Sequence, residues 1–158
     1  MADYSFLTTW RFDAPMARVW DELTHPERWS EWWPGVHAVS QVAPGGAHGV
    51  GARFANRWRS VLPHTVEFTT TVVAVDEPHL IEVVSSGELE GVGRWRLYEG
   101  AGVAVTFEWI VRTTPAWINA LSLVAKPLFA WNHEVIMRRG ERGLRARLAA
   151  SKPVWTRR

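Results

Sequence analysis

The order in which two hydrophobic periodicities follow each other is the feature that most constrains the fold of this chain. Residues Tyr4 to Phe12 alternate between apolar and polar, two short helical stretches follow, and alternation resumes from Val36 to Arg112. Glycine and proline turns divide the second region into six segments, as in an antiparallel meander. Apolar residues at helical spacing then continue to about Ala150. The chain is predicted to form a strand, two short helices, six strands and a long helix.

A sheet of seven strands with helices only near its ends has to curve around the long helix in order to bury its apolar face. The predicted fold class is therefore α+β. It consists of a seven-stranded curved antiparallel sheet wrapped around a long C-terminal helix, with two short helices between strands 1 and 2. We expect this arrangement to leave space between the sheet and the helix.

Local signals set expectations for element boundaries. Asp13 is a good N-cap for the first helix, and the cluster Gly91 to Gly93 is expected to form a turn. Near the C-terminus, Ala116 to Ala125 is predicted as a short helical segment and about Leu128 to Ala149 as the main helix. Pro127 is expected to kink or break the stretch between them.

Length and composition indicate one domain, residues 1–150, followed by a basic tail, residues 151–158, because 158 residues that are 47% apolar suffice for one core. Residues 1–15 carry Asp3 and Arg11 and lack a continuous apolar stretch, so we expect no secretion signal and a cytoplasmic location. The stretch from Thr113 to Ala125 is too short to span a bilayer and contains Pro115 and Asn119, so no integral membrane segment is expected.

The residue types exclude several function classes. The absence of cysteine excludes disulfides, a thiolate nucleophile and sulfur-ligated zinc. The six histidines show no helical metal-binding pair, so neither a metal nor another cofactor is expected. Arg53, Arg57 and Arg59 alternate with Phe54 and Trp58, but a net charge of only +2 and the lack of a recognised module argue against nucleic acid as a partner. The oligomeric state is left open.

Eleven tryptophans in so short a chain are unusual. Large aromatic side chains supply wide apolar surfaces at low entropic cost and commonly line ligand cavities. A core rich in large residues is the alternative, and composition leaves both interpretations open.

Candidate site residues on the main helix come from its periodicity of about 100° per residue. Phe129, Asn132, His133 and Ile136 fall in one apolar sector that faces the sheet. Asn132 and His133 then either orient a ligand carbonyl or hydroxyl, with His133 able to act as acid or base, or form a satisfied structural pair.

Two glycines of the same helix, Gly140 and Gly143, indicate a close approach of helix and sheet there. The open cavity is therefore predicted nearer to Phe129 than to Leu148.

The strands and their connections supply the other candidates for ligand binding. Trp32 and Trp33, before Pro34, are expected at the cavity entrance, as a gate or as plain packing. His64 is a second candidate acid or base, although its position near a strand start is also compatible with solvent exposure. The remaining strand candidates are Asn56, Trp58, Phe68, Trp95, Phe107 and Trp109.

Several sequence stretches resemble a known family. Phe12-Asp13-Ala14-Pro15, followed by Trp29-Ser30-Glu31-Trp32-Trp33-Pro34-Gly35-Val36, resembles the opening of polyketide cyclase/dehydrase-like proteins of the START-like (SRPBCC, Bet v 1-like) superfamily. The stretches 87–95 and 131–137 resemble later signatures of one bacterial branch. The similarity covers essentially the whole chain in the right order and implies the helix-grip fold.

The resemblance implies a class of function without selecting a reaction, because the superfamily includes aromatase/cyclases, lipid carriers, hormone receptors and ring-hydroxylase subunits. We expect the protein to bind an apolar small molecule, aromatic, polyketide-like or lipid-like, in a cavity between sheet and C-terminal helix. The alternative is a polyketide cyclase or dehydratase-type enzyme that uses His133 or His64 as acid or base.

Overall fold

The first strand forms one edge of a sheet. Two short helices connect it to the opposite edge, and the remaining strands follow one another across the sheet until the last strand pairs with the first. The computed structural model describes residues 2–59, 61–114, 116 and 122–150. Its elements are β1 (Ala2–Phe12), α1 (Met16–Leu23), a 3-10 helix (Pro26–Glu31), β2 (Val36–Ala43), a short 3-10 turn (Ala47–Gly49), β3 (Arg53–Trp58), β4 (Val66–Asp76), β5 (Leu80–Gly87), β6 (Leu89–Glu99), β7 (Val103–Thr113) and α2 (Ser122–Ala150).

All seven strands join one antiparallel sheet in the order β1-β7-β6-β5-β4-β3-β2. The first and last strands pair without a register shift, from Ala2 opposite Thr113 to Phe12 opposite Val103. The sheet is curved and open, and the long helix α2 together with the short helices gives the predicted helix-grip fold. The α+β fold class is confirmed.

Helix α2 packs with one face toward the concave side of the sheet. Met137, Leu144 and Leu148 are buried, whereas Arg138 and Arg142 are exposed. The helix contacts β1 and α1, so it lies over the edge of the sheet where the chain begins.

The buried apolar residues divide into two clusters. The larger one contains Trp10, Trp33 and Leu144 and fills the space between the sheet, α1 and the C-terminal half of α2. The smaller one consists of Tyr4, Trp109 and Val111, with the partly buried Phe6, Leu89, Phe107 and Phe129 packed against it. The larger cluster fills the region under the C-terminal half of α2. The open space therefore lies beneath the N-terminal half, where the sequence predicted it.

The expected turn at Gly91 to Gly93 is wrong, because both glycines lie inside β6. The actual turn between β5 and β6 is one residue long, at Glu88. A Cβ on Gly91 would lie 1.9 Å from the carbonyl oxygen of Ile110, and one on Gly93 would lie 2.9 Å from the Trp109 ring. These glycines allow neighbouring groups to approach the strand closely. In the sequence, a glycine with this role looks the same as a glycine in a turn.

Two helix boundaries also differ from expectation. The N-cap of α1 is Pro15, and no side chain caps it, so Asp13 does not serve as the cap. Helix α2 runs continuously from Ser122 through Pro127, which is therefore not a break. A proline removes one hydrogen-bond donor, and packing of the remaining turns sustains the helix around it. Much of the predicted segment Ala116 to Ala125, and the tail 151–158, lie outside the described residues.

Candidate ligand-binding site

A cavity of about 1270 Å³ lies between the sheet and the N-terminal half of α2. Inward-facing side chains of β1 and β3 to β7 form its floor, and Phe129, Asn132, His133 and Ile136 form its helical wall. Its volume exceeds the few hundred cubic ångströms that a drug-sized ligand occupies. The lining is mostly apolar and aromatic, so the open space is bordered by surfaces that gain from contact with an apolar molecule.

Six aromatic side chains form a closed circuit around the cavity, which we call the aromatic belt. Its members are Trp33, Trp58, Phe68, Trp109, Phe107 and Trp95, and all six line the cavity. The ring centroids follow one another at 4.9, 6.3, 6.4, 5.7, 4.2 and 6.3 Å, the last step returning from Trp95 to Trp33. These spacings are typical of favourable aromatic pairs, so the belt is a continuous packed surface.

The strand periodicity explains how the belt forms. Phe107 and Trp109 are two residues apart on β7, and so they point to the same face. Trp95 lies opposite Phe107 in the register of β6 and β7. Gly93 lies opposite Trp109, and its missing side chain leaves room for the Trp109 and Phe107 rings over the strand.

His133 faces the cavity from α2 and stacks on Phe6 of β1, with ring centroids 4.0 Å apart and the planes within 11°. No described residue forms a hydrogen bond with its ring nitrogens. Burial lowers the pKa of His133 to about 4, because an apolar environment penalises the charged imidazolium. The imidazole is therefore neutral at physiological pH, with one donor and one acceptor nitrogen.

Two further polar atoms at the same end of the cavity have no hydrogen-bond partner among the described residues. They are the hydroxyl of Tyr4 and the Oδ1 atom of Asn132, and both are buried. The Tyr4 ring contacts Phe129, one helical turn before Asn132 and His133, with centroids 5.9 Å apart. Burial also raises the pKa of Tyr4, so its hydroxyl stays protonated. Buried polar groups are normally satisfied, and an unmet pair at a cavity wall is suited to a polar group of a ligand.

Asn56 lines the cavity but is already engaged within the sheet. Its side-chain nitrogen donates to the carbonyl oxygen of Phe54 at 3.1 Å and to the hydroxyl of Thr70 at 3.2 Å. Its Oδ1 accepts from the indole nitrogen of Trp58 at 3.3 Å. Both amide protons of Asn56 and its Oδ1 atom are therefore engaged. Asn56 contributes to the site by holding Trp58 in the aromatic belt.

His64 lies at the cavity wall beside a carboxylate. Its Nε2 is 3.1 Å from Oε2 of Glu88, and both side chains are about one-third exposed. The same carboxylate oxygen accepts the backbone N–H of Glu67 at 3.2 Å, which fixes its position. An imidazole oriented by a carboxylate is the arrangement that supports acid–base chemistry.

Trp32 does not line the cavity. It stacks behind Trp33 with centroids 5.4 Å apart and is 6% exposed. The Trp33 ring lies between Trp32 and the cavity, so of the two only Trp33 reaches the open space. Trp33 itself is 1% exposed and is tied to α2 by its indole nitrogen, which donates to the carbonyl oxygen of Ile136 at 2.9 Å. This fixed ring belongs to the cavity wall, and of the two expected roles the structure favours packing over a gate.

Several lining residues were missed from the sequence. Tyr4 and Phe6 share the strand face of Trp10, and their alternation was a usable signal. Glu88 had no such signal, because it sits in a turn and meets His64 only through the folded sheet. Trp29 lies on the 3-10 helix and contacts Trp33 and Trp58 at the edge of the belt.

The described residues contain no cluster of three or more side chains suited to a metal ion. Among them there is also no helix with the length and apolar character needed to cross a membrane. Arg57, one of the basic residues of β3, forms an ion pair with Glu67 at 2.9 Å on the solvent side of the sheet.

Comparisons with known proteins agree with this fold. The model of the family described as "Polyketide cyclase / dehydrase and lipid transport" matches residues 5–149. No curated protein sequence is similar enough to this chain to count as a match.

Solved structures show the same fold. The Zhui aromatase/cyclase from Streptomyces sp. R1128 superposes with a TM-score of 0.76 at 12% identity, over 98% of this chain and 99% of that one. The di-domain aromatase/cyclase BexL of the BE-7585A biosynthetic pathway gives 0.72 at 21% identity, over 96% of this chain, which spans only 51% of BexL. Major latex-like protein 151 from Panax ginseng gives 0.66 at 11% identity, over 92% of this chain and 97% of that one.

Proposed function

Because the chain belongs to the polyketide cyclase/dehydrase and lipid transport family, we propose that it binds an apolar small molecule, aromatic, polyketide-like or lipid-like, in the cavity beneath α2. The single observation that carries the proposal is the closed aromatic belt around a cavity of about 1270 Å³. Aromatic side chains normally bury their faces against other apolar groups. Here Trp58, Phe68 and Phe107 are only partly buried and border open space, and an apolar ligand would remove that surface from water.

The proposal is tested by titrating the purified protein with 1-methylpyrene and following energy transfer from tryptophan to pyrene. We expect saturable binding of one molecule with a dissociation constant on the order of micromolar. Ile136→Trp, which adds a large ring inside the cavity, should weaken binding by about tenfold or more. The matched control Ala130→Trp adds the same ring on the exposed side of α2 and should leave the affinity unchanged. Non-saturable transfer, or equal loss in both variants, would contradict the proposal.

A second candidate function is supported by the pair formed by His64 and Glu88. An acid–base residue of a cyclase or dehydratase needs an imidazole at the cavity wall and a group that orients it, and this pair provides both. His133 also faces the cavity, but its pKa of about 4 makes it a weak base with no orienting partner.

The enzymatic alternative is tested with a linear poly-β-ketone thioester as the substrate, following the absorbance of the aromatic product. If the protein is a cyclase, His64→Ala should abolish turnover, and Glu88→Gln should reduce it by about 100-fold. 1-Methylpyrene binding should stay intact in both variants. Turnover that is absent in the unaltered protein, or that survives His64→Ala, would argue for the binding function alone.

A further inference from the structure

The charges around the cavity differ from those of the chain as a whole. The protein contains 18 Lys and Arg residues and has a net charge of +2. None of the lining residues in the described part of the chain is a lysine or an arginine. The lining carboxylates are Asp21, Glu27, Glu77 and Glu88. The described lining of the cavity therefore offers no fixed positive charge to a ligand.

The carboxylates are arranged around the opening. Three of these carboxylates line the cavity and are also exposed, so they lie where the cavity meets solvent: Asp21, Glu27 and Glu77. Glu88 is about one-third exposed and is held by His64. Lys126 is exposed, with its ammonium 5.9 Å from the centroid of the Tyr4 ring, but it is not among the lining residues. Asp21 forms an ion pair with Arg28 at 3.3 Å, so the negative charge that an approaching anion meets comes from Glu27 and Glu77.

An anion inside the cavity would also lack a cationic partner among the described lining residues. Transfer of an ionised carboxylate from water to an apolar site is strongly unfavourable unless a cation or several donors receive it. His133 is neutral at physiological pH, and His64 already faces a carboxylate.

The unmet polar atoms favour a different group. The Oδ1 atom of Asn132 is an acceptor and requires a donated proton. A ligand hydroxyl donates one proton and accepts another, so it satisfies Asn132 while accepting from Tyr4 or His133. A carboxylate only accepts, and it would leave Asn132 unpaired.

We propose that the cavity selects uncharged ligands that carry a hydroxyl group at the end formed by Tyr4, Asn132 and His133, and that it excludes the corresponding carboxylates and phosphates. This inference rests on the proposed binding function and specifies the chemical class of its ligand. The apolar body of the ligand lies against the aromatic belt, and the hydroxyl group lies beneath α2.

The test compares three ligands that share one ring system: 1-methylpyrene, 1-pyrenemethanol and 1-pyrenecarboxylate, each titrated near pH 7 by energy transfer from tryptophan. We expect the alcohol to bind about fivefold more tightly than the methyl compound, because it gains a hydrogen bond. The carboxylate should bind at least about tenfold more weakly than the alcohol.

Three variants assign the selectivity to the polar end. Asn132→Leu and Tyr4→Phe should each reduce the advantage of the alcohol over the methyl compound. Asn132→Lys supplies a cation and should raise the affinity for the carboxylate by about tenfold or more. The control Glu134→Gln alters the exposed side of the same helix and should preserve the wild-type order of affinities.

The outcomes separate the two proposals. If 1-methylpyrene binds but the carboxylate binds as tightly as the alcohol, the inference is overturned and the binding function stands. An alcohol advantage that survives both Asn132→Leu and Tyr4→Phe also overturns it. If none of the three compounds binds, the proposed function fails together with the inference. The wild-type comparison decides the question even if Asn132→Lys does not fold.

Discussion

The indole ring of Trp33 and the backbone of Gly140 are in direct contact, so that a Cβ added to Gly140 would lie 2.5 Å from the ring atom Cε2 of Trp33. The same indole donates its N–H to the carbonyl oxygen of Ile136 at 2.9 Å. These contacts join α2 to the segment that precedes β2. They set the distance between the helix and the sheet. The cavity begins on the N-terminal side of this contact along α2.

Gly140→Ala should destabilise the protein even though alanine is the better helix former. Alanine gains about 1 kcal/mol of helix propensity over glycine. The overlap with Trp33, which is 1% exposed and is held by its hydrogen bond to Ile136, costs about 1–3 kcal/mol. We therefore expect a net loss of up to about 2 kcal/mol in the free energy of unfolding, measured by urea denaturation.

Gly143→Ala should be more damaging, because the added Cβ would lie 1.7 Å from the backbone carbonyl oxygen of Trp32. A backbone atom yields less readily than a side chain. The control is Gly100→Ala, where no atom lies within 4 Å of the added Cβ. Equal effects of the three substitutions would show that the helix does not approach Trp32 and Trp33 as described.

Acid should destabilise the protein through His133. Its pKa is about 4 in the folded state, against an ordinary value of 6.5, so between these pH values the unfolded state binds the proton and the folded state does not. Stability is therefore unaffected by this group above pH 6.5 and decreases as the pH falls toward 4. The full loss is about 3 kcal/mol, from 1.36 kcal/mol per pKa unit.

His133→Phe should remove this dependence, because phenylalanine preserves the stack on Phe6 and does not titrate. The slope of the unfolding free energy between about pH 4 and 6.5 should decrease in this variant. Trp131→Phe, at an exposed position of the same helix, serves as the control and should leave the slope as it is. An unchanged slope in His133→Phe would mean that the imidazole is solvated in the folded state.

Arg147 should contribute strongly to stability, because it is paired with a buried carboxylate. Its Nε lies 2.9 Å from Oε1 of Glu22, which is 5% exposed, and its Nη2 lies 3.1 Å from Glu31. Arg147→Met leaves the charge of Glu22 buried and uncompensated. We expect a loss of about 3 kcal/mol in the free energy of unfolding by chemical denaturation.

The double variant Arg147→Met with Glu22→Leu should be more stable than Arg147→Met alone, since it removes the buried charge together with its partner. Arg138→Met provides the comparison, because its ion pair with Glu134 is exposed and should contribute less than about 1 kcal/mol. A double variant less stable than Arg147→Met would contradict the assignment of the effect to the charge of Glu22.

Much of the fold was predictable from short-range patterns. The alternation of Tyr4 to Phe12 and of Val103 to Val111 reports which strand face is buried, because side chains alternate with a period of two. The turn expected at Gly91 to Gly93 failed for a physical reason. Glycine is required both where the backbone turns and where neighbouring groups approach closely, and the sequence does not distinguish the two.

The site was predictable to the extent that it depends on these periodicities. Five belt residues were named because they alternate on strands, Trp33 because it precedes Pro34, and Asn132 with His133 because they share a helix sector. Trp32, which was expected together with Trp33 as a gate or as packing, lies outside the cavity lining, and periodicity does not distinguish the two residues in the segment before Pro34. The pairing of His64 with Glu88 depends on residues brought together by the sheet, and no local pattern encodes it.

The most direct test of the central claim is a crystal structure of the protein with 1-bromopyrene bound, in which the anomalous signal of bromine locates the ligand. We predict one bromine peak inside the cavity, with the pyrene ring against Trp95 and Phe107 and beneath Ile136 of α2. A filled core with no bromine peak between sheet and helix would contradict the claim. So would a single peak on the outer surface beside Trp131, which is 50% exposed.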